Sequence, residues 1–211
     1  GEGDAVVAHE ALLLGNKDHW LANEVLEYWK RVLKRIDMTS RSLVAIVEHG
    51  SCFAGPLAEL LWAVDRSYMM LEDFDGDNRP MAAITMTDGN FGRYPMSNDL
   101  TRLQTRFLGT PEHVEGLQAH KGEALEADVA EEHGLVTYAF DDIDWEDEVR
   151  LFLEERGSFS PDAVTAMEAN LRFAGPETME TRIFGRLTAW QNWIFNRPNA
   201  VGEAGALQRY G

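Results

Sequence analysis

VAIVEHGSCFAGPLAELLWAVD, residues Val44–Asp65, passes from a strand pattern through a small-residue turn into a helical pattern. The β-branched and apolar residues of Leu43–Val47 predict a buried strand. The turn that follows, Gly50–Gly55, consists mainly of small residues. Pro56 favours a helix start, because its fixed φ suits the first helical position and its missing N–H would be unpaired there. The stretch therefore predicts a strand–turn–helix unit.

This unit suggests a chemical role, because a strand that runs through glycines into a helix leaves free backbone N–H groups at the helix start. Such groups bind an anion, or an oxygen that becomes negative during a reaction. Glu59 is the only formally charged residue between Gly50 and Val64, and burial would disfavour its charged form. N–H donors beside a carboxyl of raised pKa predict an active site for an acyl group. The alternative is that Glu59 faces solvent or accepts a hydrogen bond from a nearby arginine.

Composition and charge limit the classes of partner. The chain has 211 residues, 45% of them hydrophobic, which suits one medium-sized domain or a domain with an appendage. A net charge of −17 argues against nucleic acid or an anionic membrane surface as partner, since both bind basic patches. Cys52 is the single cysteine, so no disulfide forms within the chain and a reducing compartment is expected.

Membrane segments and metal sites are not expected from the sequence. No apolar run approaches the about 18 residues that a membrane span needs, and the first residues lack the basic and apolar regions of a signal peptide. We therefore expect a soluble cytoplasmic protein. No histidine pair has zinc-ligand spacing, and the acidic loop 72–80 lacks the glutamate of a calcium loop, so we expect no metal.

Short strand patterns alternate with helical patterns in the first two thirds of the chain, which predicts an α/β layer architecture. The predicted strands after Val47 are Arg66–Leu71, Ala82–Met86 and Leu135–Ala139. The predicted helices are Ala5–Leu14, Lys17–Asp37, Asn98–Leu108, Gly122–Gly134, Trp145–Arg156, Ser160 to about Phe173 and Pro176 to about Phe195. Asn196–Gly211 is predicted to be a loop. A change of composition near Asp141 predicts an α/β region at 1–141 and a helical region at 142–211.

Several motifs occur together and in a recognisable order. They are Gly3-Asp4, the strand followed by GSCFAGPLAELLWAVD, the element GEALEADVAEEHGLV from Gly122, and SPDAVTAMEANLRF from Ser160. In these motifs the chain resembles the crotonase (enoyl-CoA hydratase/isomerase) superfamily. The resemblance implies an α/β fold of the ClpP/crotonase type whose core lacks its first strands and is followed by a C-terminal helical region.

The resemblance also implies roles for particular residues. In the superfamily, two backbone N–H groups hold the thioester oxygen of an acyl-CoA as it becomes enolate-like, and carboxylates move protons to and from water. By position, Gly3 and Gly55 match the N–H pair, while Glu59 and Asp88 match the two carboxylates. The turn before Glu59 is one residue longer than is usual, and Asp88 is one methylene shorter than the usual glutamate.

Further segments resemble a ring-cleaving branch of the superfamily: EHGSCFAGPLAEL, NFGRYPMSNDLTRL, DDIDWEDEVR and the string from Asn170 to Gly211. This resemblance implies hydrolytic cleavage of 2,3-epoxybenzoyl-CoA to 3,4-dehydroadipyl-CoA semialdehyde and formate in aerobic benzoate degradation. It implies no cofactor beyond the CoA of the substrate. It covers the C-terminal half of those longer chains, so a homodimer, or packing against an upstream crotonase-like half, is expected. The alternatives are a non-catalytic half that serves dimerisation or completes another half's pocket, and an ordinary enoyl-CoA hydratase.

Aromatic and amide side chains cluster near the C-terminus, where Trp190, Asn192 and Asn196 are candidate substrate-binding residues. One interpretation is a lid against an aromatic acyl group, with the amides fixing water or an epoxide oxygen. The other is a helix interface in which Trp190 packs in the core and the amides cap the helix end. Three arginines also have two interpretations, contact with CoA phosphates or pairing with Asp and Glu: Arg93, Arg102 and Arg106.

Overall fold

The computed structural model of the protein describes the chain in three ranges: 1–71, 79–172 and 177–209. Most of the predicted acidic loop (72–78) and the predicted helix boundary at 173–176 lie outside these described residues. No helix in the described ranges is long and apolar enough to cross a membrane. The chain forms two compact units, Gly1–Asp37 with Leu43–Glu146, and Met38–Ser42 with Asp147–Gly211.

The first unit begins with α1 (Gly3–Gly15) and α2 (Trp20–Asp37). The buried residues of α2 are spaced four or seven apart, so they occupy one face of the helix: Ala22, Leu26, Leu33 and Asp37. The remaining elements follow in chain order: β1 (Val44–Val47), α3 (Glu59–Ala63), β2 (Arg66–Met70), β3 (Ile84–Thr85), α4 (Arg102–Arg106), α5 (Pro111–Leu117), β4 (Ala124–Leu125), α6 (Ala127–Glu132) and β5 (Tyr138–Phe140).

Three of these strands form a parallel sheet of order β1-β2-β5, as the α/β pattern predicts. Ile46 pairs with Tyr68, and Tyr68 pairs with Tyr138. The core is packed around this sheet, and its fully buried apolar side chains include Val47, Leu61, Met69, Ile84, Met86, Leu103 and Leu135. The strand β1 therefore leads directly from the core into the glycine turn.

Three local predictions differ from the structure. The predicted helix at Gly122–Gly134 begins only at Ala127, because Leu125 pairs with Ile84 in an antiparallel β3–β4 ladder. The predicted helix at Asn98–Leu108 begins only at Arg102, because the Thr101 hydroxyl caps it by accepting a 3.0 Å hydrogen bond from the Gln104 N–H. Pro56 stands in a 3₁₀ turn, Gly55–Leu57, that precedes α3.

The second unit is helical, as predicted. α7 (Trp145–Ser158) continues into it from the first unit, and its other helices follow in order: α8 (Pro161–Leu171), α9 (Met179–Arg182), a π-helical segment (Ile183–Leu187), α10 (Thr188–Ile194), α11 (Pro198–Val201) and α12 (Ala206–Arg209). The predicted loop at Asn196–Gly211 is wrong, because Pro198 starts α11 at the first helical position, where its missing N–H costs nothing.

Candidate active site

The glycine turn after β1 is the first candidate for a backbone N–H donor. Gly55 is buried and has φ of +47°, a left-handed conformation that favours glycine. Its carbonyl accepts a hydrogen bond from Asn90 Nδ2 at 2.9 Å. Within the described ranges no hydrogen bond from its N–H is found. The Gly55 N–H therefore has no protein acceptor among the described residues.

Gly3 lies close to the same turn. It is the first residue of α1, where the backbone N–H groups have no acceptor within the helix. A Cβ atom added to Gly3 would lie 3.6 Å from Cβ of Ala54. The structure thus brings together the two residues that the superfamily resemblance matches to the N–H pair, and their catalytic role remains a prediction.

Glu59 is buried at the start of α3 and has polar partners on both oxygens. Its side chain is 1% exposed. Its Oε1 accepts a hydrogen bond from Asn90 Nδ2 at 2.7 Å, and its Oε2 accepts one from Arg102 Nη1 at 2.7 Å. Of the two alternatives to catalysis, a solvent-facing Glu59 is wrong and pairing with an arginine is confirmed.

Arg102 is shared between two carboxylates in this cluster. Its Nε and Nη2 donate to the two oxygens of Asp37 at 2.9 and 2.6 Å, and Nη1 also donates to the Tyr94 carbonyl at 2.8 Å. Burial raises the pKa of the Glu59 carboxyl to about 7, although Arg102 and Asn90 lower it. A carboxyl with a pKa near neutrality can accept and donate protons at physiological pH.

A cavity of about 380 Å³ opens beside the turn, between α1 and the segment that follows β1. Its walls include Glu10 and Tyr94, and the Tyr94 hydroxyl donates to Glu10 Oε1 at 2.7 Å. Glu59 is not among the described residues that line it. Sequence reasoning missed Glu10, although a glutamate within the apolar run VVAHEALLL was the available signal.

Comparison with solved structures shows the fold. An enoyl-CoA hydratase from Thermoplasma volcanium matches 93% of this chain and 69% of its own, with a TM-score of 0.66 and 15% identity. An enoyl-CoA hydratase from Bacillus anthracis matches 91% of this chain and 67% of its own, with a TM-score of 0.64 and 15% identity. This is the crotonase fold. The predicted α/β crotonase-like core with a helical C-terminal region is confirmed.

In sequence, the chain is similar to benzoyl-CoA-dihydrodiol lyase from Aromatoleum evansii. The two are 50% identical over 212 residues, which cover all of this chain and 37% of that protein. The resemblance that the sequence motifs indicated is therefore confirmed, and the chain spans little more than a third of the relative's length. No protein-family model matches the chain.

Within the crotonase fold, Asp88 lies at the surface. Its side chain is 85% exposed and forms an ion pair with Lys121. A capping box at this turn, in which the Thr87 N–H donates to Asn90 Oδ1 at 2.8 Å, fixes Asn90 beside Glu59. Asn90 is thus the residue of this turn that reaches the buried cluster, and sequence reasoning missed it. The catalytic role of Asp88 remains a prediction.

The C-terminal candidates lie in the second unit. Trp190 is half-buried and lines a mainly apolar cavity of about 780 Å³ within that unit. Asn192 and Asn196 are exposed, and Asn196 Nδ2 donates to the Asn192 carbonyl at 2.7 Å. This bond caps the end of α10, as the interface interpretation predicts for the amides. Substrate binding by the three residues remains a prediction.

The three candidate arginines have ion-pair or hydrogen-bond partners within the first unit. Arg93 pairs with Glu27 at 3.0 Å and Arg102 pairs with Asp37 and Glu59, so carboxylate pairing is confirmed for both. Arg106 Nε donates to the Gly134 carbonyl. Burial lowers the pKa of Arg106.

Proposed function

We propose that this chain is part of a ring-cleaving lyase that converts 2,3-epoxybenzoyl-CoA to 3,4-dehydroadipyl-CoA semialdehyde and formate. The observation that carries the proposal is the 50% identity to benzoyl-CoA-dihydrodiol lyase over the whole chain. The net change is the addition of two water molecules, so the reaction needs no oxidant or reductant. CoA enters only as part of the substrate.

The Gly3–Gly55 pair is proposed to hold the thioester oxygen. Gly55 offers an N–H without a protein acceptor in the described ranges, and Gly3 stands at a helix start next to it. Donors aimed at an oxygen that gains negative charge stabilise the transition state, and removing one such donor costs about 10²–10³ in kcat. This arrangement favours chemistry next to a thioester carbonyl.

Glu59 is proposed to move protons near this pair, with Asp88 as the second carboxyl that the resemblance implies. The pKa of about 7 suits Glu59 to either direction of transfer. For the second unit taken by itself, Trp190 is proposed to contact an aromatic group, and Asn192 and Asn196 to contact an oxygen or a water molecule.

A second candidate is a non-catalytic crotonase half that supports dimerisation or completes the pocket of another half. A specific observation favours it: both oxygens of Glu59 already accept hydrogen bonds from Arg102 and Asn90, while Asp88 is exposed. In this case the cluster around Arg102 stabilises the fold and takes no part in proton transfer.

Formate release by the naturally expressed polypeptide that carries this chain tests the proposal. We expect formate from 2,3-epoxybenzoyl-CoA without any added redox cofactor, and little hydration of crotonyl-CoA measured in parallel. Hydration of crotonyl-CoA without formate release would contradict the proposal in favour of an ordinary hydratase. Absence of both activities would also contradict it.

A Glu59→Gln variant of the same polypeptide separates the two candidates. If Glu59 transfers protons, formate release falls by at least ~10²-fold, the lower range for loss of a general acid or base. Glu24→Gln, at an exposed position of α2, is the matched control and should keep full activity. Unchanged turnover of folded Glu59→Gln would support the non-catalytic half.

A further inference from the structure

Glu10 is a buried carboxyl that the proposed roles do not use. It is 3% exposed and lies on α1, with its carboxyl group against two glycines. A Cβ atom on Gly55 would lie 2.7 Å from Glu10 Oε2, and one on Gly89 would lie 2.2 Å from Glu10 Oε1. Only residues without a side chain leave room for the carboxyl at this point, so Glu10 is placed directly beside the turn that carries the Gly55 N–H.

The two oxygens of Glu10 differ in their surroundings. Oε1 accepts a 2.7 Å hydrogen bond from the Tyr94 hydroxyl. Burial, together with the hydrogen bond to Glu10, raises the pKa of Tyr94, so the phenol stays protonated and acts as the donor. Oε2 receives no hydrogen bond from the residues that the structure describes, and Glu10 lines the cavity of about 380 Å³. Oε1 is therefore fixed by a hydrogen bond, whereas Oε2 is available to a ligand.

Glu10 also differs from Glu59 in its charge environment. Glu59 shares the Arg102 guanidinium with Asp37, whereas no hydrogen bond or ion pair joins Glu10 to a cationic side chain in the described ranges. The titratable and charged groups around Glu10 are Tyr94, which bonds to it, Glu2, His9 and Cys52 on the cavity wall, and Arg93 and Glu59 near Tyr94. Burying a carboxyl without a cationic partner costs free energy, so an ion pair that stabilises the fold does not explain Glu10.

We propose that Glu10 is a catalytic acid–base residue of this cavity and that Tyr94 is its positioning residue. The inference rests on the proposed ring-cleaving function. Glu10 is on the cavity wall, whereas Asp88, the second carboxyl implied by the resemblance, is exposed. In the step assigned to Glu10, a water oxygen bonds to an epoxide carbon and its proton passes to Glu10 Oε2. The epoxide C–O bond breaks, its oxygen takes that proton, and Glu10 is ionised again.

Kinetics of a Glu10→Gln variant of the naturally expressed polypeptide test the proposal. The amide keeps the size of the carboxyl and still accepts from Tyr94, but it cannot take up a proton from water. We expect kcat for formate release to fall at least ~10²-fold with KM little changed. Glu24→Gln again serves as the control. The thermal midpoint of each variant reports folding.

A Tyr94→Phe variant tests the positioning role of the hydroxyl, because a purely structural role would not change kcat separately from KM. This test applies even if Glu10→Gln fails to fold. The variant keeps the ring and the backbone carbonyl that accepts from Arg102, and it removes only the hydroxyl. Glu10 then loses the donor that fixes its carboxyl in place, so kcat for formate release should fall while KM stays little changed.

The outcomes separate this inference from the function on which it rests. Formate release by wild type together with full activity of Glu10→Gln, or an unchanged kcat in Tyr94→Phe, would overturn the inference and leave the proposed function standing. Absence of formate release by wild type would overturn the function itself.

Discussion

At the scale of single residues, the first unit holds two buried carboxyl environments close to Gly55. Glu59 and Asp37 share one fully buried guanidinium, so the three groups carry one net negative charge when all are ionised. Removing charges from water is costly, and one cation offsets that cost incompletely for two carboxylates. The raised pKa of Glu59 is the expected consequence.

This raised pKa predicts how stability depends on pH. Below pH 4.5, the ordinary value, Glu59 is protonated in both the folded and the unfolded chain. Between that value and about 7 the unfolded chain loses the proton and the folded chain keeps it. Raising the pH therefore lowers the contribution of Glu59 to the free energy of unfolding across this window.

Urea denaturation of wild type and Glu59→Gln across the same window measures the effect. The difference in the free energy of unfolding between the two should shift in favour of the variant as the pH rises, because glutamine does not titrate. Titration of all other groups cancels in the comparison, provided that they behave alike in both proteins. A difference that is independent of pH would contradict the raised pKa.

Sequence reasoning located Glu59 because a single charge in an apolar helix is visible in the sequence. It offered pairing with an arginine as an alternative, but it did not choose the partner, since Arg102 is distant in the chain. Glu10 was missed for a related reason. Its surroundings are made by Gly55, Gly89 and Tyr94, and only the folded chain brings these residues to α1.

At the scale of elements, α1 packs its Glu10 against the 3₁₀ turn Asp88–Phe91 as well as against the glycine turn. Gly89 permits this contact, because a Cβ atom there would also lie 2.9 Å from Tyr94 Cε2. The glycine turn and the Asp88–Phe91 turn therefore each need a glycine to leave room for the Glu10 carboxyl group.

Gly89→Ala is expected to destabilise the protein by about 1–3 kcal/mol, the usual cost of overpacking a tight contact. Gly92→Ala, at the residue that follows the 3₁₀ turn, is the matched control, since a Cβ atom at Gly92 would meet nothing within 4 Å. The measurement is the free energy of unfolding in urea. In a Glu10→Ala background much of the cost of Gly89→Ala should disappear, because the colliding carboxyl is gone. An unreduced cost in that background would contradict the assigned contact.

The sequence predicted the order of the strands and helices better than it predicted the residues at which they begin and end. β1 and the Tyr68–Met70 part of β2 were recognisable because buried parallel strands are short apolar runs. β4 was not, because Ala124–Leu125 gains its strand conformation from pairing with β3. α5 was also missed. Local sequence patterns thus predicted the elements whose conformation depends on their own residues. They did not predict an element whose conformation depends on pairing with a distant strand.

At the scale of the whole molecule, the crotonase fold accounts for most of the chain, while benzoyl-CoA-dihydrodiol lyase from Aromatoleum evansii is much longer than the chain. The α/β class and the helical C-terminal region were predictable, since both follow from periodicity over long stretches. The proposed ring-cleaving activity rests on resemblance in particular strings of residues. Periodicity and composition alone do not distinguish members of one fold.

The role proposed for Gly3 and Gly55 requires that their turn bind the oxygen of a thioester. Infrared difference spectra of benzoyl-CoA with a ¹³C-labelled thioester carbonyl, bound to the naturally expressed polypeptide, test this role. Gly55→Ala disturbs the turn, because it places a side chain at φ of +47° and 2.7 Å from Glu10 Oε2. We predict that binding lowers the carbonyl stretching frequency in wild type and in Gly92→Ala, and that the lowering is lost in Gly55→Ala. A bound carbonyl with an unshifted frequency, or a shift that persists in Gly55→Ala, would contradict the account.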